Sequence, residues 1–89
     1  MIRRRLTIRN RLGMHARAAA RFVHTASAFH ARITVSCRDK TMDGKSILGL
    51  LLLAAALGAE IEIAADGADE TAAIEALSAV VESGFGEGA

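Results

Sequence analysis

The fold is organised around one stretch of the chain, NRLGMHARAAARFV at residues 10–23. A strand-like alternation of apolar and polar residues stops at Asn10, Gly13 interrupts the chain, and an alanine-rich helical pattern begins just after His15. The sequence therefore predicts that His15 lies at the N-terminus of a helix.

The predicted position of His15 suits the chemistry of phosphate. Backbone N–H groups at a helix start have no intrahelical partner, and the helix dipole is positive there, so such a place favours a bound anion. Arg17 adds a planar guanidinium that can donate to phosphate oxygens. Because an imidazole nitrogen is a nucleophile near neutral pH, the stretch predicts a site where His15 accepts a phosphoryl group.

The same stretch resembles the motif Asn-x-x-Gly-(Leu/Met/Ile)-His-Ala-Arg-Pro-Ala of HPr, the histidine-containing phosphocarrier family of the bacterial phosphoenolpyruvate-dependent phosphotransferase system. The matching residues are Asn10, Gly13, Met14, His15, Ala16, Arg17 and Ala19. Ala18 replaces the usual proline, as in relatives from the nitrogen-related branch, and a proline there mainly preorganises the first turn. A second HPr motif is matched at residues 45–49, KSILG, and the resemblance covers essentially the whole chain.

The resemblance implies a role for each matched residue. His15 would accept phosphate on its pros nitrogen, Nδ1, from enzyme I and pass it to a histidine of an enzyme IIA. Arg17 would neutralise the phosphoryl oxygens, and Ala16 and Arg17 would supply backbone N–H groups. Ser46 is first of all a good helix N-cap, and the resemblance adds a regulatory role through an HPr kinase/phosphorylase. Such a carrier is not an enzyme and needs no cofactor.

Length, charge and cysteine content narrow the class of protein. A chain of 89 residues predicts a single small domain over 1–89, and a net charge of +1 does not favour nucleic-acid binding. The run Arg3-Arg4-Arg5 is interpreted as the solvated face of a strand. One cysteine fits a reducing cytoplasm, the charged start does not fit a signal peptide, and the apolar run 47–59 is too short to span a bilayer. We expect a cytoplasmic protein without membrane insertion, and a monomer.

Hydrophobic periodicity predicts elements in the order strand, helix, strand, strand, helix, strand, helix. Their predicted positions are 2–9, 16–27, 31–37, 40–43, a helix from Ile47 that stops at Gly58, 60–65, and a helix capped by Asp69 that ends at Gly84, followed by a glycine-rich tail at 85–89. Arg4 falls on the apolar side of the first strand, against the pattern. The order predicts a two-layer α+β domain. The resemblance adds the HPr-like open-faced sandwich, βαββαβα, with three helices on one face of a four-stranded antiparallel sheet.

The second helix carries more apolar residues than one face can bury. Four consecutive leucines follow Gly49, and a short helix on a sheet buries one face only. The excess predicts an exposed docking patch, and the alternative is a fully buried helix. The predicted partner-binding residues are Met14, Ala16, Ala20, Ile47, Leu48 and Leu51, together with Arg17.

Other interpretations use the remaining polar residues. His24 and His30 are predicted to lie on the surface and Cys37 in the core, and no pair has metal-ligand spacing, so no metal site is expected. A regulator that docks without carrying phosphate would not need both His15 and Arg17. An acyl carrier modified on Ser46 would be strongly acidic around that serine, unlike this chain. The sequence leaves open whether a carrier of this kind serves sugar transport or only nitrogen and carbon regulation.

Overall fold

The computed structural model describes residues 1–87 and has the predicted α+β architecture. Within residues 1–87, four strands and three α-helices follow one another in the predicted order, and a short 3₁₀ turn follows the last helix. Their bounds are β1 Ile2–Thr7, α1 Ala16–Ala26, β2 Arg32–Cys37, β3 Lys40–Asp43, α2 Ile47–Leu52, β4 Glu60–Asp66, α3 Glu70–Glu82 and the 3₁₀ turn Gly84–Gly86.

The four strands form one antiparallel sheet in the order β1-β4-β2-β3. The central strand β4 pairs Ile61 with Leu6 of β1 and Ile63 with Val35 of β2. These residues lie on the inner face, because side chains alternate across a strand, and the helices cover that face. The predicted open-faced sandwich is therefore confirmed.

Two of the helices supply most of the core against the sheet. Phe22 of α1 and Leu77 of α3 are fully buried and join the inward residues of β2 and β4 in one cluster. Because α1 and α3 occupy the same face, the N-terminus of α1 and the end of α3 come to the same side of the molecule. This packing brings the chain after α3 close to His15.

Arg4, which breaks the alternation of β1, has a partner on the helical layer. Its side chain is directed to α3, where its guanidinium donates to Ser78 Oγ at 3.1 Å and to Glu75 Oε1 at 2.9 Å. A long arginine stem can cover apolar surface while its charged end reaches a polar partner. Arg4, the irregular residue of the first strand, therefore links β1 to α3 by hydrogen bonds.

Several element boundaries differ from the prediction, most of them by one or two residues. β1 ends at Thr7, not at residue 9, and α1 ends one residue early, at Ala26. The second helix ends at Leu52 rather than at Gly58, because Ala54 adopts a left-handed conformation with φ of 52° and the helix cannot continue through it.

Asp69 stands at the N-cap position of α3 but makes no cap hydrogen bond with that helix. Its carboxylate instead accepts from the backbone N–H groups of His30 and Ala31, both at 2.8 Å. Asp69, predicted as a helix cap, therefore binds the backbone of the segment that leads into β2. These charge-assisted hydrogen bonds, with that of His30 the largest cause, lower the pKa of the Asp69 carboxyl.

Residues 85–87, which the sequence predicts as part of a short glycine-rich tail, are instead folded onto the domain. Gly84–Gly86 forms a 3₁₀ turn in which Phe85 is buried, and Glu87 follows it back toward α1. A phenylalanine gains enough by burial to hold such a turn on the core. Residues 88 and 89, the rest of the predicted tail, lie outside the described residues. Within residues 1–87, no helix is long and apolar enough to cross a membrane.

Candidate functional site

His15 is the N-cap residue of α1, as predicted, with extended backbone angles of φ −84° and ψ 179°. The loop before it turns at Gly13, whose φ is +66°, and the next residue is tied down where Met14 N donates to Ala55 O at 2.8 Å. The His15 side chain makes no cap hydrogen bond to the helix. The first backbone N–H groups of α1 are therefore left without a side-chain cap from His15.

The imidazole of His15 is held by the carboxylate of Glu87, which lies 72 residues further along the chain. His15 Nε2 contacts Glu87 Oε2, and Glu87 Oε1 accepts from Asn10 Nδ2 at 2.9 Å. The buried Asn10 amide also donates to Gly13 O at 2.7 Å, so it joins the loop before the histidine to Glu87. Glu87 is thus fixed by one neutral donor and by the imidazole.

The environment keeps Glu87 ionised. The hydrogen bond from Asn10 is the largest cause that lowers the pKa of the Glu87 carboxyl, and the contact with His15 and the charge of Arg21 act in the same direction. An ionised carboxylate can only accept hydrogen bonds. His15 Nε2 must therefore carry the proton in this contact, and in the neutral imidazole the lone pair is then on Nδ1.

Arg17 is the second residue of α1, in its first turn, and has an exposed side chain. Among residues 1–87 its guanidinium has no hydrogen-bond or ion-pair partner, in contrast with Arg21. Ala16 and Ala20 are exposed on the same helix. An arginine without an internal partner, next to a helix start and an imidazole, has its donors available for an anion.

The second predicted motif begins α2. Ser46 Oγ accepts from Gly49 N at 3.0 Å, which confirms the predicted N-cap. Leu50 is buried, whereas Leu48 is 68% exposed and Leu52 is 53% exposed, and Ile47 and Leu51 are exposed to a smaller extent. The fully buried alternative for this helix is therefore wrong.

Met14 does not belong to that exposed surface. It is only 4% exposed and is part of the core cluster, because its backbone bond to Ala55 O holds it under the loop. Its assignment to the partner-binding surface is contradicted. His24 and His30 are exposed and Cys37 is buried, as predicted, and residues 1–87 contain no cluster of histidine, cysteine and acidic side chains that could hold a metal ion.

A family model described as the PTS HPr component phosphorylation site matches residues 2–83. Phosphocarrier protein HPr of Neisseria meningitidis serogroup A is 47% identical over 88 residues, which is 99% of each chain. The chain belongs to the HPr family. Phosphocarrier protein NPr of Shewanella violacea is 41% identical over 86 residues, 97% of this chain and 94% of the relative.

Solved HPr structures share the fold in full. HPr from Thermoanaerobacter tengcongensis superposes with a TM-score of 0.96 at 42% identity, and the match covers 100% of both chains. HPr from Bacillus anthracis superposes with a TM-score of 0.86 at 40% identity, covering 90% of this chain and 95% of that one. The chain is accordingly a phosphocarrier of the phosphotransferase system and not an enzyme, and the acyl-carrier alternative is excluded.

The HPr motif identified His15 but not the residues that hold it. Glu87 and Arg21 were missed, and Asn10 was recognised only as a motif residue. The only sequence signal for Glu87 and Arg21 was Phe85. A large apolar residue in a glycine-rich segment indicates that the segment packs against the core.

Proposed function

We propose that this HPr-family chain accepts a phosphoryl group from enzyme I on Nδ1 of His15 and passes it to enzyme IIA proteins. The single observation that carries this proposal is the contact between His15 Nε2 and the ionised carboxylate of Glu87. It commits one ring nitrogen to a proton and leaves the other as the nucleophile. Transfer between two imidazoles needs little covalent help from the protein, so positioning and charge neutralisation are what this site must provide.

Arg17 is proposed to neutralise the transferred group. Its exposed guanidinium has no partner within residues 1–87, and the N-terminus of α1 offers unpaired N–H groups, including those of Ala16 and Arg17. Both features stabilise the phosphorylated state of His15 more than the unphosphorylated state, because they act on negative charge that appears only with the phosphate.

The docking surface for both partners is proposed to combine α1 and α2. Ile47, Leu48 and Leu51 provide exposed apolar side chains, and Leu52 extends the patch. Ala16 and Ala20 provide a low surface on α1 next to Arg17. Apolar patches on small proteins commonly mark interaction sites.

The distribution of charge favours acidic partners. All arginines of the chain lie within residues 3–38, and all ten acidic residues follow Arg38. The segment that carries α1 is therefore basic although the whole chain has a net charge of only +1. Complementary charge raises the rate of encounter and sets orientation more than it raises affinity. We expect enzyme I and enzyme IIA to present acidic side chains around their own histidines.

Ser46 is proposed as a regulatory position for an HPr kinase/phosphorylase. Its hydroxyl caps α2, whose exposed leucines form the docking surface. A phosphate adds roughly −1.5 to −2 charge near pH 7 and is tolerated at a helix start. The same charge would oppose an acidic partner, so the effect of modification is expected in the complex rather than in the fold.

A monomeric, cytoplasmic, single-domain protein remains our prediction.

The decisive experiment is phosphorylation by phosphoenolpyruvate and a cognate enzyme I. One acid-labile phosphate, about 80 daltons by intact mass, is expected on the chain, and His15→Ala should abolish it. His24→Ala is the matched control, because His24 is an exposed histidine of the same helix and its variant should be labelled normally. Full labelling of His15→Ala would overturn the proposal, and ³¹P–¹⁵N coupling in the labelled protein identifies the ring nitrogen.

A further inference from the structure

The chain after α3 is held in an unusual backbone conformation. Gly84, Phe85 and Gly86 all have positive φ, at 67°, 57° and 75°. Phenylalanine in the left-handed region is disfavoured sterically, so Phe85 adopts it only because other contacts hold it there. Burial of the Phe85 ring is one such contact.

Arg21 of α1 provides the second contact that holds Phe85 in this conformation. Its Nη1 donates to the carbonyl oxygen of Phe85. The guanidinium lies against the turn so closely that a Cβ at Gly86 would come within 2.7 Å of Nη1. Arg21 and Phe85 also line a groove of about 600 Å³ between α1 and the end of α3. Arg21 thus connects the helix that begins at His15 with the turn that leads into Glu87.

We infer that Arg21 is a positioning residue, which holds the Gly84–Gly86 turn so that Glu87 meets His15 Nε2 and keeps the reactive lone pair on Nδ1. Glu87 is one residue past the turn, and its carboxylate reaches both Asn10 and His15 only while the turn stays on α1. Without the bond from Arg21, the left-handed turn loses one of its two supports, and Glu87 is no longer directed at the imidazole.

This inference deepens the proposed function and must be separated from a simpler alternative. Arg21 lies one turn beyond Arg17 on α1, so its charge could act directly on the phosphoryl group. A direct charge effect would not depend on Glu87 and would leave the tautomer of the free imidazole unchanged. A positioning role acts only through Glu87 and changes the tautomer before any phosphate is present.

The primary test therefore uses the unphosphorylated full chain. Ring ¹⁵N shifts of His15, recorded at a pH where the imidazole is neutral, measure the fraction of the Nε2–H tautomer. Arg21→Gln should lower that fraction to the level found in Glu87→Ala, and Arg21→Lys, which keeps a donor for the Phe85 carbonyl, should restore part of it. Arg11→Gln is the control, because it removes the same charge from an exposed arginine for which residues 1–87 provide no hydrogen-bond partner.

The second test is a double-mutant cycle on the initial rate of phosphorylation by enzyme I. Arg21→Gln and Glu87→Ala should each lower the rate by a similar factor, and the double variant should lose no more than Glu87→Ala alone. Backbone amide spectra of the sheet check that each variant is folded. If Arg21→Gln does not fold, Arg21→Lys takes its place in the cycle.

Two results would overturn the positioning role: an unchanged tautomer fraction in Arg21→Gln, or a rate loss from Arg21→Gln that persists in the Glu87→Ala background. Failure of the parent chain to accept phosphate would refute the proposed function, while the tautomer measurement would still decide the role of Arg21.

Discussion

Replacing Gly13 with alanine should destabilise the protein through the loop that presents His15. Gly13 has a φ of +66°, and a Cβ placed on it would lie 2.5 Å from Ala55 O and 2.9 Å from Ala56 Cα. Ala55 O is also the acceptor for Met14 N, at 2.8 Å. The new methyl group therefore pushes away the very atom that anchors the residue before the histidine.

The magnitude follows from two contributions. An alanine in the left-handed region costs about 1–2 kcal/mol, of which about 0.4–1 kcal/mol is offset because alanine also restricts the unfolded chain. Displacing Ala55 O leaves the buried N–H of Met14 without its partner, which costs about 1–3 kcal/mol. The expected loss for Gly13→Ala is therefore about 1–4.5 kcal/mol, with a centre of about 3 kcal/mol.

Gly58→Ala is the matched control. Gly58 also has a positive φ, +87°, but its Cβ would meet no atom of residues 1–87 within 4 Å. This variant should lose only the backbone contribution, about 1 kcal/mol. Urea unfolding of the parent and both variants measures the difference, with the slope checked for two-state behaviour. Equal losses for the two variants would refute the steric argument.

Three further perturbations test other parts of the molecule. Leu48→Asp should slow transfer to and from partners at unchanged stability, measured by urea unfolding and coupled phosphorylation rates; unfolding instead would show that Leu48 supports the core. Ser46→Ala should lose about 1 kcal/mol of capping energy and transfer normally, whereas Ser46→Asp should fold normally and accept phosphate more slowly, with a deficit that shrinks as salt rises. Asp69 contributes stability that is fully present above its unfolded pKa and is lost as pH falls through its lower folded pKa. Asp69→Asn should therefore reduce stability at neutral pH and flatten its decline in acid; parallel stability–pH curves for parent and variant would contradict this.

The sequence by itself determined the elements and their order, because the patterns that specify them are local. The alternation at residues 31–37 placed β2 within one residue, and Ser46 marked the start of α2 correctly, since a cap depends only on its neighbours three residues away. His15 at a helix start followed from Gly13 and the alanine run in the same way. The predicted end of α2 was wrong, because alanine favours helix and no local signal indicated the left-handed conformation of Ala54.

Tertiary structure alone decided what surrounds the histidine. Glu87 meets both His15 and Asn10 because α1 and α3 pack side by side on one face of the sheet, and no periodicity in the chain encodes a contact across 72 residues. Burial of Met14 and the inward course of Arg4 were likewise settled by what lies opposite each side chain. Spacing along a sequence specifies which way a residue faces within its own element. Which groups it then meets depends on the path of the whole chain, and for this protein that path places the side-chain carboxylate of Glu87 on the imidazole of His15.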